Sequence, residues 1–464
     1  MEERQSVKEQ LWQVIQLSIP AVLAEISSIA MQYIDASMVG SLGAKASASI
    51  GLVSSTTWLF GGLCIAAATG FSVQVAQLVG AGKDGDARRV LRQAVLCTLV
   101  FGMILSAVGV GISRKLPIWL GGEADVCADA SRYFLIYACA LPASQIRQMA
   151  GSMLQCSGNM QIPSKLNIMM CVLDVILNSL LIFPARQMSF LHRSVWLPGA
   201  GLGVMGAALG TALSEIVTAA LMLYAVCFRS GHLRLERHGN WKLDGNCLKL
   251  AVQLALPMAL EHIILCGAQI AATRIVAPLG TISVAANSLA VTAESLCYMP
   301  GYGIAAAATT LVGQSIGAGS PKRAKRYAGL SVALGAFVMS CTGGLMFFGA
   351  PLMFSILTPD AEIRALGARV LRIEAFAEPL FAVSIVVAGA LRGAGDTLIP
   401  SIMNLASMWG VRITASVLLA PRFGLVGVWT AMCVELCVRG ILFLIRLMRG
   451  KWLEREVLFR TSVH

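Results

Sequence analysis

Apolar residues run along this chain in blocks too long for the core helices of a soluble protein. Twelve blocks stand out, at 14–38, 50–78, 91–113, 130–155, 165–184, 204–228, 250–277, 286–313, 328–350, 367–391, 400–420 and 424–447. A stretch of about 20 apolar residues crosses a bilayer as a helix. The pattern therefore predicts an all-α polytopic membrane protein with twelve transmembrane helices. The segments between the blocks are short and polar, and the longest charged one, "RSGHLRLERHGNWKLDGN" at 229–246, reads as a linker.

The two sides of that linker repeat each other. "QLSIP" at 16–20 returns as "QLALP" at 253–257, and "GAGKDGDARR" at 80–89 returns as "GAGSPKRAKR" at 317–326. "LQCSGNMQIPSKLN" at 154–167 returns as "LRGAGDTLIPSIMN" at 391–404, and Pro142 returns as Pro379. All four pairs lie 237 residues apart. One shared register over five helices is the mark of a duplication. Six helices per copy is an even number, so both copies enter the membrane the same way round. The expectation is two parallel-repeat six-helix lobes, residues 1–235 and 236–464, with a substrate cavity between them near the bilayer midplane.

Composition supports the membrane reading. The chain has 464 residues, of which 57% are hydrophobic and only 13% charged, with a mean hydropathy of +0.74. Soluble proteins carry about 25% charged residues. The net charge of +12 is not a nucleic-acid footprint, because the basic residues sit in short clusters between apolar blocks. With the N-terminus inside, 22 basic residues fall in cytoplasmic segments and 8 outside. The positive-inside rule then predicts a multi-pass protein of the cell (inner) membrane, with both termini cytoplasmic. "MEERQSVKEQLWQVIQLS" lacks a small-residue cleavage site, so no signal peptide is expected. The thirteen cysteines include no C-x-x-C pair and most lie in apolar runs, which fits core residues better than disulfides or zinc.

Several motifs mislead. "GLGVMG" at 201–206 fits G-x-G-x-x-G, but an extramembrane loop precedes it and a membrane helix follows, so close helix packing is the expected role. "GAGK" at 80–83 lacks the rest of a phosphate loop, and its repeat partner has Ser in place of Lys. Neither supports nucleotide binding, so transport would have to draw on an ion gradient. No nucleophile–base pair suggests an enzyme.

The informative polar residues are inside the apolar blocks. Glu25, Ser28, Gln32 and Asp35 follow a spacing of three, four and three, which places them on one face of the first helix. Asn167, Cys171, Asp174 and Asn178 form a similar stripe on the fifth. Acids at membrane depth are costly toward lipid, so both stripes should face an interior cavity. In the second lobe the seventh helix carries His262, Cys266, Gln269 and Thr273 on one face, and Gln269 is the repeat partner of Gln32. Asp35 and Asp174, however, map to Ala272 and Val411. The acids are asymmetric within a symmetric frame, which points to an ion site in the first lobe. Glu294 is expected deep in the eighth helix, whereas Glu261 and Glu378 are expected near helix ends in water. Arg147, Arg274 and Arg412 lie inside predicted helices.

Taken together these features resemble the multidrug and toxic compound extrusion (MATE) family. The resemblance covers nearly the whole chain. It rests on Pro20 followed by Asp35, on "GAG" after the second and eighth helices, and on "LRGAGDTLIP". "LDVILNSLLIF" followed by "LGVMGAALGT" adds to it. It implies a secondary active antiporter that exports cationic or amphipathic small molecules in exchange for H⁺ or Na⁺, needing no other cofactor. It also implies a cation-coupling set of Asp35, Asp174, Asn178 and Thr211, which would also be the ligands of any Na⁺. The family's Asn and Asp on the fifth helix stand here in reversed order, as Asp174 and Asn178. Leu265 and Phe381 occupy positions where some branches carry acids. Ser28, Gln32, Asn167, Gln269 and Glu294 are the expected lining of the substrate cavity. The chain is expected to act as a monomer in the lipid bilayer, without nucleic-acid partners. The competing expectation is a flippase for lipid-linked oligosaccharides or lipids, which would turn Arg147, Arg274 and Arg412 toward the cavity. Pro20, Pro142, Pro257, Pro300 and Pro379 are expected bending points.

Overall fold

The computed structural model describes residues 6–190, 193–236, 239 and 241–453. Four basic residues counted toward the topology, Arg4, Arg237, Arg455 and Arg460, lie outside them. The first half consists of α1 (Val7–Gly40), α2 (Ala44–Gly80), α3 (Asp84–Ile112), the one-turn α4 (Leu116–Trp119), α5 (Ala124–Cys156), α6 (Gln161–Leu181) and α7 (Val204–Tyr224). The second half consists of α8 (Gly245–Val276), α9 (Thr281–Gly317), α10 (Pro321–Leu357), α11 (Ala361–Ala375), α12 (Glu378–Gly393), α13 (Leu398–Ser407) and α14 (Thr414–Arg449).

Local chemistry explains the ends. α1 starts on a capping box: Ser6 Oγ accepts from Glu9 N at 3.2 Å and Glu9 Oε2 accepts from Ser6 N at 2.9 Å. α11 starts on Asp360, whose carboxylate accepts from the amides of Glu362 and Ile363. Pro20, Pro142, Pro257 and Pro300 lie within helices.

The twelve spans are present, with three departures from the sequence pattern. The tenth span is broken into α11 and α12, with Phe376 and Ala377 between them. Pro379 lies in the first turn of α12, where its missing N–H costs nothing, so it starts a helix instead of bending one. The eleventh span begins as α13, passes through a π-turn at Met408–Ile413, and runs into α14. α14 also holds the twelfth span, the chain turning at Gly424 with φ 59°. Finally, the loop at 185–200 forms an antiparallel hairpin, β1 (Pro184–Phe190) with β2 (Arg193–Ala200). Among the described residues eight helical stretches are long and apolar enough to cross a membrane by themselves. The last of these, Leu398–Arg449, contains two spans. α5, α9 and the broken α11–α12 complete the twelve.

The start of α1 and the end of α14 lie on one face: Val14, Tyr327, Phe443 and Trp452 share a core cluster. This is called the terminal face below. Its opposite is the far face. Outward-pointing side chains are strongly apolar, with Phe348 81% and Ile356 78% exposed, as a lipid-facing surface requires.

The two halves meet on the terminal side in a reciprocal contact. Gln77 Nε2 donates to the carbonyl of Gly393 at 3.2 Å, and Gln314 Nε2 donates to the carbonyl of Cys156 at 3.0 Å. Gln77 and Gln314 are repeat partners, as are Cys156 and Gly393. The helices cross so closely that a Cβ on Gly80 would stand 2.0 Å from the Gln314 carbonyl oxygen, and one on Gly317 would stand 1.8 Å from that of Gln77. Gly80 and Gly317 are again repeat partners. Small residues permit this approach, as they do wherever membrane helices pack backbone to backbone.

Candidate cation-coupling site

α1, α6 and α7 bring one polar cluster together inside the first half. Asn178 Nδ2 donates to Asp35 Oδ1 and to Asp174 Oδ2, both at 2.9 Å. Ser214 Oγ lies 3.2 Å from Asp174 Oδ1 and 2.9 Å from the carbonyl of Thr211, its single proton shared between the two acceptors. Asp174, Asn178 and Ser214 are fully or almost fully buried, whereas Asp35 keeps part of its surface open. Gly210 makes room, since a Cβ there would lie 2.0 Å from Asn178 Oδ1. That Oδ1 is a buried acceptor without a hydrogen-bond partner.

The two carboxylates differ in freedom. Asp174 has both oxygens engaged by donors and is fixed in place. Asp35 has one oxygen engaged and is five residues from the far end of α1, about 8 Å along the axis at 1.5 Å per residue. None of the ion pairs among the described residues includes either aspartate. The cluster therefore holds two acids on one donor amide with no fixed counter-cation.

The structure thus unites Asp35, Asp174 and Asn178, residues from two helix stripes. Thr211 joins through its carbonyl, and no hydrogen bond of its side chain to the aspartates is present among the described residues. Ser28, Gln32 and Asn167 share faces with the acids but make no hydrogen bond to them; Asn167 Oδ1 is buried and unpartnered. Gln269 is exposed on α8. Ser214 was not among the expected residues. Its signal was available, three positions after Thr211 on the face that Gly210 opens.

The second half corrects several expectations. Glu294 is deep, as expected from its place in the helix: it is 7% exposed and its neighbours Ala293 and Cys297 belong to the core cluster of its own half. Glu378 is not solvated at a helix end but wholly buried, beside a second buried acid, Glu374, that the sequence reading passed over. The break between α11 and α12 turns both inward. Neither carboxylate of Glu374 and Glu378 makes a well-formed hydrogen bond among the described residues, although Cys297 lies within reach of Glu378. Glu261 is also buried, and its oxygens accept from Ser401 Oγ and Asn404 Nδ2 at 2.6 Å each, with Arg392 at 3.6 Å. Arg147 pairs with Glu215 at 3.4 Å, and the charge of Arg412 reaches Glu294 and Glu374. Arg274 is exposed at the end of α8.

The MatE family pattern matches residues 20–180 and again 257–418 of this chain. A probable multidrug resistance protein NorM from Thermotoga maritima is 26% identical over 462 residues, covering 99% of this chain and 97% of that protein. Among solved structures, a MOP superfamily transporter from Pyrococcus furiosus, described as having a binding pocket of reverse polarity, superposes with a TM-score of 0.88 at 18% identity. It covers 97% of this chain and 98% of its own. A multidrug resistance MATE family transporter in its outward-facing conformation superposes equally, at 0.88 and 19% identity, covering 97% of each chain.

Proposed function

This chain belongs to the multidrug and toxic compound extrusion (MATE) family, and on that premise we propose that it is a secondary active exporter of cationic, amphipathic small molecules driven by proton entry. It is a multi-pass membrane transporter and not an enzyme. The observation that carries the substrate and ion reading is the Asp35–Asn178–Asp174 bridge: two carboxylates, one shared donor and no fixed cation.

Charges in a low-dielectric cavity need a partner. Asp174 is held by Asn178 and Ser214; Asp35 is the mobile half of the pair. A proton on Asp35 removes one charge; an organic cation beside it balances one. The two ligands compete for the same carboxylate, and exchange follows when the lobes cannot reorient with the cavity empty and doubly charged. The proton is preferred over Na⁺ because Asn178 presents its NH₂ to both acids. A sodium ion between them would need the amide oxygen turned inward.

On this reading the terminal face is cytoplasmic and the membrane is the plasma membrane. The Gln77–Gly393 and Gln314–Cys156 contacts then close the cytoplasmic side, leaving Asp35 accessible from outside. The protein works as a monomer, its lobes spanning residues 1–235 and 236–464. A membrane potential of about 100 mV supplies roughly 2.3 kcal/mol per charge moved. The flippase reading loses support from Arg147, which pairs with Glu215.

The test is cation-dye efflux from proteoliposomes under separate H⁺ and Na⁺ gradients, for the wild type and Asp35→Asn. Efflux driven by H⁺ and lost in the variant is expected. Efflux driven only by Na⁺ overturns the choice of ion, and unaltered exchange in Asp35→Asn overturns the mechanism.

A further inference from the structure

Away from the acid cluster, the outer flank of the second half carries a groove of about 880 Å³ between the end of α10 and α11. Its floor is built from small residues on one face of α11, Ala361, Ala365 and Ala368. Three arginines rise around that floor: Arg364, Arg369 and Arg372. Among the described residues none of them makes an ion pair. Arg364 donates to the carbonyls of Pro359 at 2.6 Å and Asp360 at 3.4 Å. Arg372 donates to the carbonyl of Phe347 at 3.1 Å and lies 5.6 Å from the centre of its ring. These contacts aim the guanidinium groups but use only some of their five N–H donors. The nearest acids are committed or turned elsewhere. Asp360 caps α11 through its carboxylate, and Glu362 does not line the groove.

The rim is the opposite in character. Phe348, Leu352 and Phe376 are 81%, 67% and 70% exposed. α10 has 37 residues, about 55 Å at 1.5 Å per residue, against a hydrocarbon layer of about 30 Å. The helix is longer than the layer, and the groove lies beside its far end, where three arginines call for headgroup level. Arginine is also scarce on this side of the chain: Arg364 and Arg369 are two of only eight basic residues assigned to the far-side segments. Placing them around one groove, with Arg372, goes against the usual charge pattern.

We propose that this groove binds an anionic phospholipid from the adjoining leaflet. Its phosphate is held by Arg364, Arg369 and Arg372, and its acyl chains lie along Phe348, Leu352 and Phe376. Guanidinium groups match phosphate oxygens in geometry as well as charge. The inference rests on the membrane reading of the fold. The proposed orientation decides only which leaflet supplies the lipid.

The full-length protein in detergent, mixed with equal amounts of phosphatidylglycerol and phosphatidylcholine, is examined by native mass spectrometry. Preferential retention of one phosphatidylglycerol is expected, by about tenfold, the effect of losing or gaining one charge-assisted contact. The triple variant Arg364→Gln/Arg369→Gln/Arg372→Gln should remove the preference. So should Ala365→Trp, which fills the floor and keeps every charge. If the triple variant does not fold, Arg369→Gln and Ala365→Trp decide. Equal retention of both lipids by the wild type, or a preference that survives these variants, overturns the proposal. Displacement of the lipid by inorganic phosphate at comparable concentration also overturns it, in favour of a free-anion site. The dye-efflux test of Asp35 reads a different part of the molecule, so the two proposals fail separately.

Discussion

The two halves of this protein descend from one repeated unit, yet they treat buried acids in opposite ways. In the first half, Asp35 and Asp174 share one amide and make no ion pair among the described residues, and Asp35 keeps part of its surface exposed. In the second, acids are either neutralised or sealed. Glu261 sits with Arg392, Glu435 with Arg439 at 2.6 Å, and Asp396 with Arg446 at 2.8 Å. Glu374 and Glu378 are closed off completely. The same backbone frame serves both. Ser401 and Asn404 of the second half clamp Glu261, whose repeat position is Ala24; Ser164, the repeat partner of Ser401, donates instead to the carbonyl of Pro20. On the proposed reading, what sets Asp35 apart is the combination of an unpaired carboxylate and a partly exposed surface.

That contrast can be broken by experiment. The largest effect is expected from Asp35→Asn and Asp174→Asn, measured as ion-driven dye efflux. Each should fall by at least about tenfold, the scale of one charge-assisted interaction, in protein that still elutes as a single folded species. Retained efflux in both would place coupling in the second half.

Next come Gly80→Val and Gly317→Val. Each would drive a side chain into the backbone of the opposite half. Both should hinder closure of the terminal face, lower efflux by less than the aspartate variants do, and expose Cys156, which is buried at that seal. Thiol labelling at Cys156, read by peptide mass spectrometry, should rise in both variants alike. A rise in only one would show that the reciprocal contact is not one gate.

Ser214→Ala should have an intermediate effect. It removes one hydrogen bond from Asp174, worth about 1 kcal/mol or roughly fivefold in rate, and should leave the choice of driving ion unchanged. A change of ion preference would show that Ser214 helps select it.

Glu374→Gln should matter least, with efflux within about twofold of wild type, the range of a substitution worth ±0.5 kcal/mol. Loss of ion-driven transport in this variant would end the comparison, because the sealed cluster would then be a second coupling site.

Much of the architecture was legible in the chain. Block lengths yielded twelve spans, and a constant 237-residue offset yielded the two-fold relation that Gln77 and Gln314 realise in contact. The first-half acids were legible because Asp35 and Asp174 each recur with polar neighbours at helical spacing. The second-half acids were misplaced for the converse reason. Glu378 lies close to the start of an interrupted helix, and Glu374, inside the tenth apolar block, was not singled out.

The sequence by itself determined the spans, the duplication and the faces on which the acids stand. These follow from periodicity and from the cost of placing charge in lipid, which are local or cumulative along one strand of chain. Only the tertiary structure decided that Asn178 bridges Asp35 and Asp174, that Ser214 completes the cluster, and that Glu374 and Glu378 are shut away. These depend on helix rotation, on a break at Phe376–Ala377 and on the approach that Gly210 permits. A one-residue change in any of them re-aims a side chain by about 100°, with no change in apolar pattern.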